Sequence, residues 1–135
     1  MRSYVIDQNG KEVTIDFFPE GKIAIEIGSF FLNQPAQETI ETVNDCEAWR
    51  VNKQDFQDVF ESIKAFRDWG RSWMVGTLLA NKQQGLSLIT DDAASRYQRL
   101  QKEQPEILLH APLKHIASYL GITHTSLSRI RKDKG

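Results

Sequence analysis

The residues best equipped for chemistry at a surface lie near the C-terminus: His124, Thr125, Ser126, Ser128, Arg129, Arg131 and Lys132, with Lys114 and Thr123 just upstream. Hydroxyls, an imidazole and cations at this density are hydrogen-bond donors suited to phosphate oxygens and to the edges of bases. They are not a bond-breaking set. The chain has no Ser/His/Asp arrangement, no CxxC, no phosphate-cradling glycine loop and no HExxH, so no enzyme is expected. His110, His115 and His124 stand five and nine residues apart, which fits no common helical metal pair. Neither a metal nor a cofactor is expected.

The stretch LKHIASYLGITHTSLSRIRK, Leu113 to Lys132, contains the elements that must hold these groups in place. Ile116, Leu120, Ile122, Leu127 and Ile130 supply an apolar set at helical spacing. The pattern predicts a first helix over 112–120 with Pro112 at N1, and Gly121 as the following residue able to take φ > 0. Thr123 is the predicted cap of a second helix. Ala117 is the small residue that a steep crossing of two helices requires. A buried edge with a polar, basic outer face is the composition of a recognition helix in a helix-turn-helix. The alternative is an amphipathic helical hairpin that only packs.

At 135 residues the chain has room for one domain or two small ones. Its 40% hydrophobic and 26% charged content is that of an ordinary globular protein. No apolar run approaches the ~20 residues that span a bilayer, so no membrane partner is expected. The N-terminus lacks a secretory h-region, and the single Cys46 suits a reducing cytosol; a cytoplasmic location follows as an expectation. Charge is uneven. Residues 1–45 carry three basic and eight acidic side chains, a net of −5, whereas Lys114, Arg129, Arg131, Lys132 and Lys134 against Asp133 make residues 114–135 +4. A basic end on an acidic body favours docking of that end on a phosphate backbone.

Along the chain, Tyr4–Ile6 and Val13–Phe18 around Asn9–Gly10 predict a β-hairpin. Residues 21–31 form an apolar stretch broken by Gly21 and Gly28, and residues 39–43 and 46–51 predict a second hairpin around Asn44–Asp45. Four or five short strands would make a piece of a sandwich or barrel. Asn52 is the predicted cap of a helix over 53–63. A long helix follows, with a seam of Phe66, Trp69, Trp73, Gly76, Thr77, Ala80 and Gln84. That seam either packs on its own β-domain or pairs with a second copy, and the homodimer is the preferred expectation. Thr90 is the predicted cap of the next helix, which ends before Pro105. The expected fold class is α+β: a partial β-roll over 1–63, a dimerisation helix over 64–89 and a helix-turn-helix over 90–135.

KHIASYLGITHTSLSRIRK, extended upstream by SRYQRLQKEQPEILLHAP, resembles the C-terminal helix-turn-helix of the Crp/Fnr family of bacterial transcription regulators. The resemblance implies an N-terminal β-roll of the cyclic-nucleotide-binding type, a dimerisation helix, double-stranded DNA as ligand and RNA polymerase as a further partner. SYVIDQNGKEVTIDFFPEG resembles the middle of such a roll, so its earlier strands are expected to be absent. Members that bind cyclic nucleotides use a Gly-Glu-Leu stretch followed by Arg-Ser. Here Ile25–Glu26–Ile27–Gly28 stands in that place, with Glu26 and Gly28 as vestigial site candidates. No arginine stands near Ala36–Glu38. Without that cation the phosphate loses its charge-assisted contact, so cyclic AMP is not the expected effector. Iron–sulfur sensing is not expected either, since Cys46 has no partner cysteines. The family often has a glutamate where Thr125 stands, which implies a different preferred base there. The function implied is a homodimeric, sequence-specific regulator on a palindromic site. The alternative is a shortened dimerising protein that sequesters full-length regulators.

Overall fold

The computed structural model describes residues 1–133; Lys134, counted above in the basic end, lies outside the described residues. The fold is α+β, a small antiparallel sheet with several helices. Two compact units are present: Met1–Cys46 and the residues from Asp91 onward form one, and Glu47–Thr90 forms the other. No described helix is long and apolar enough to cross a membrane.

In the first unit, β1 (Arg2–Ile6) and β2 (Glu12–Phe17) form the predicted hairpin. Its turn is held by Asp7, whose carboxylate accepts from the amides of Asn9 (2.8 Å) and Lys11 (2.9 Å). Gly10 alone takes the left-handed conformation, at φ 77°; Asn9 does not. The register slips between Ser3 and Tyr4, which pair with Asp16 and Thr14, so Ile15 is an extra residue on β2.

The strands expected after the hairpin differ. Residues 21–31 do not form one. Glu26 caps a short helix α1 (Ile27–Leu32), its carboxylate accepting from Gly28 N (3.2 Å) and Ser29 N (2.6 Å), and Asn33 closes that helix at φ 55°. There is no hairpin over 39–51 either. β3 (Thr39–Glu41) pairs antiparallel with β1, giving the order β2-β1-β3, and residues 46–51 are irregular. Electrostatics explains the choice of partner. Arg2, only 1% exposed, needs counter-charges, and its guanidinium donates to Glu41 (2.7 Å), to Thr14 Oγ1 (2.9 Å) and to Glu12, while stacking 4.4 Å over the Tyr4 ring. Pairing Thr39–Glu41 beside β1 brings the second carboxylate within reach.

The second unit is α2 (Lys53–Ser62) and α3 (Lys64–Thr90), joined at an extended Ile63. Asn52 caps α2 as expected, accepting from Asp55 N at 2.9 Å. Phe56, Phe60, Phe66 and Trp69 form one aromatic cluster, with ring centroids 5.2–6.3 Å apart. A Cβ at Gly70 would stand 3.0 Å from the Phe60 ring, so a larger residue there is accommodated only if that ring gives by a few tenths of an ångström. Of the seam read from sequence, Phe66 is thus engaged with α2, and Trp69 packs on Phe66 within α3. Trp73, Thr77 and Gln84 are half-buried, and Gly76 and Ala80 are exposed. The exposed apolar stripe of α3 is a different one: Val75, Leu78 (70% exposed), Leu79, Leu86 and Ile89 (84% exposed), at i, i+3, i+4, i+11 and i+14. At 100° per residue it faces away from Phe66, Trp73 and Gln84.

Candidate nucleic-acid interface

Four helices complete the first unit: α4 (Ala93–Glu103), α5 (Pro105–His110), α6 (Leu113–Tyr119) and α7 (His124–Lys132). α4 is capped by Asp92, which accepts from Ser95 N at 2.7 Å, and not by Thr90, which is the last residue of α3 and donates to Leu86 O. A carboxylate at the head of a helix outcompetes a hydroxyl because the dipole favours its charge. The proline at N1 is Pro105 of α5; Pro112 is one position earlier than expected, at the N-cap of α6.

The turn between α6 and α7 follows from three residues. Gly121 sits at φ 67°, its amide bonds Ser118 O (3.0 Å) and the amide of Ile122 bonds Ala117 O (3.0 Å), a Schellman closure. Thr123 then caps α7, its hydroxyl accepting from Ser126 N at 3.1 Å. The side chain of Arg96 on α4 fixes the turn from outside, donating to Leu120 O at 3.1 Å and to Asp91 O. Thr123→Ala is expected to lower stability by about 0.5–2 kcal/mol through loss of the cap, read as a shift in urea midpoint at constant slope.

Beneath the turn, Ile116 (0% exposed), Ala117, Leu120 and Leu127 (0% exposed) join Tyr97, Leu100, Ile107 and Phe17 of β2 in one core, with Ile130 packed against it. Burial of Leu127 fixes the rotation of α7. Thr125, Ser128, Arg129 and Lys132, at i, i+3, i+4 and i+7, point the other way. Thr125, Arg129 and Lys132 are exposed, as are Thr123, His124, Arg131 and Lys114, and Ser128 is half-buried. Ser126 is half-buried on the core side, with its hydroxyl 2.9 Å from that of Thr123, so it belongs to the cap rather than to the outer face. The result is a rigid helix with a basic, hydrogen-bonding exterior. His115, next to the exposed Lys114, is buried.

The face of α6 made by His115, Ser118 and Tyr119 is covered by the sheet. Ser118 Oγ accepts from Thr14 N (3.0 Å), and the Phe17 and Tyr119 rings meet edge to face at 5.3 Å. Burial pushes the Tyr119 phenol up to about 12. Sequence reading missed this contact, because its partners lie about a hundred residues apart and carry no shared periodicity.

Residues 1–63 match the family model of the cyclic nucleotide-binding domain, so the front of the chain is cyclic-nucleotide-binding-like. The match spans the sheet, α1 and α2. No curated protein and no solved structure matches the chain. Within the matched span, Glu26 is held below the usual carboxylate range, first by the Ser29 amide, and so is committed to capping α1. Gly28 lies against that carboxylate.

Proposed function

We propose that the chain is a sequence-specific DNA-binding transcription regulator of the Crp/Fnr kind, with α6 and α7 as its helix-turn-helix, working as a homodimer on a palindromic site. The observation that carries this reading is the outer face of α7, whose donors are turned to solvent by an opposite edge locked into the core. A helix of this size enters the major groove, with half-sites of the dimer one turn of DNA, ~34 Å, apart. Arg129 reads a guanine through O6 and N7, and His124, Thr125 and Ser128 add weaker base contacts. Lys132, Arg131, Thr123 and Lys114 bond phosphates, which position without specifying.

The apolar stripe from Val75 to Ile89 supports pairing of two chains through α3, because exposed leucine and isoleucine at helical spacing are stabilised by a second such face. The same stripe fits mixed dimers with longer regulators. Sizing the purified chain, then testing whether it alone shifts a palindromic duplex, separates the two readings. A cyclic nucleotide is not the effector in this account. Glu26 occupies the amides at the head of α1, and Ala36–Glu38 offers no cation to a phosphate.

Lys132→Ala is expected to weaken binding to every duplex alike and to reduce the salt slope by about one. Titrations of one specific and one scrambled duplex at two salt concentrations test this. A loss confined to the specific duplex would place Lys132 on a base instead.

A further inference from the structure

We propose that the three-stranded sheet is an acid-sensitive clamp on α6, closed through Ser118 and His115 and released when His115 takes up a proton. Ser118 supplies the mechanical part: its hydroxyl accepts from Thr14 N at 3.0 Å and lies 3.5 Å from Glu12 O, on the same strand. The edge strand β2 is thereby tied to α6. His115, one turn earlier on the same helix face, is buried, and the charged groups of the sheet act on it.

The charges that act on His115 come from every element of that contact. Arg2 of β1 and Lys114 of α6 disfavour a second cation there, and Glu12 of β2 and Glu41 of β3 favour it. The acids do not prevail, because both are already bonded to Arg2. Burial is the largest influence and acts with the cations, so the imidazole is held below its ordinary value of 6.5. The neutral ring therefore belongs to the closed clamp, and a proton binds the open form more strongly. A depressed histidine contributes stability that is present above the unfolded value and lost as pH falls through the folded one. Asp16 of β2, which influences Tyr119, titrates with the opposite sign, since burial and Glu38 raise its carboxyl above 3.8. Between the two the clamp is weakest, because the Asp16 contribution is lost as pH rises above 3.8 and the His115 contribution is lost as pH falls below 6.5.

Release frees α6 from the sheet while the basic face of α7 stays exposed, so acid loosens the mounting of the recognition helix without covering it. The contact exists whether or not the chain reads DNA, and it is tested without DNA. Amide hydrogen exchange at Thr14, corrected for the intrinsic acid slowdown, is followed in the full chain from neutral pH down to about 5.5. In the wild type the opening constant is expected to rise by up to about tenfold per pH unit. His115→Gln should be flat over the same range, and His124→Gln, altered on the exposed face of α7, should keep the wild-type slope. A flat wild type, or an unchanged slope in His115→Gln, overturns the clamp. Should His115→Gln not fold, the ring titration of His115 in the wild type decides: a midpoint below 6.5 supports the clamp, and one at or above 6.5 overturns it. Failure to bind any duplex at any pH would overturn the proposed function and leave the clamp standing.

Discussion

Leu127→Ala unfolds at a much lower urea concentration than the wild type, with a loss of about 2–5 kcal/mol. The side chain is 0% exposed and belongs to one core with residues of α4, α5, α6 and β2. Truncation removes its transfer free energy and leaves a cavity that neighbours on several elements cannot jointly close. Small domains are stable by only about 5–15 kcal/mol, so a large share of the total is at stake. The residue also decides which way α7 faces, so the proposed DNA binding is expected to be lost together with the fold. Urea titration monitored by circular dichroism measures the loss, since the three tryptophans lie in the other unit. A shift of under about 0.5 kcal/mol, the size seen at surface sites, would mean that α7 is not anchored in the core.

Arg129→Ala is the converse case. The residue is exposed and lies on the face opposite Leu127, so stability should move by less than about 0.5 kcal/mol. Binding to the preferred duplex should weaken by about 1–3 kcal/mol, roughly five- to 150-fold, and discrimination at one base pair should relax. Arg129→Lys should not restore it, because an ammonium cannot reproduce the two parallel bonds of the guanidinium fork. Competition titrations against duplexes substituted at each position of the half-site measure this. Equal weakening on all of them would move Arg129 to the phosphate backbone.

What was legible in the sequence was whatever local chemistry decides. Asn52, Gly121 and Thr123 do their work within a few residues of themselves, and the structure has each where its side chain predicted. The long helix and the hairpin turn at Gly10 were legible for the same reason. Competition between near-equal local options was harder. Thr90 and Asp92 are two plausible caps two residues apart, and the carboxylate holds the position. Residues 27–32 carry a strand-like composition, and the cap from Glu26 makes them helical. Long-range partners were not legible at all. β3 goes to β1, where Arg2 needs Glu41, and His115 is buried because a sheet lies across α6.

The candidate site divides along the same line. The donors of α7 and the turn that presents them could be read from spacing. The capping use of Ser126, and the commitment of Phe66 to an aromatic cluster with α2, depend on packing. An apolar residue at the right period can face either of two partners, and the exposed stripe at Val75, Leu78 and Leu79 emerges only once α2 has claimed the other side.

The most direct measurement is selection of random-sequence duplexes on the purified chain, followed by sequencing of the retained fraction. The account predicts an enriched pair of inverted half-sites centred about one helical turn apart, with a guanine in each that loses its enrichment in Arg129→Ala. Retention without any enriched sequence, or enrichment that Arg129→Ala leaves intact, would contradict it.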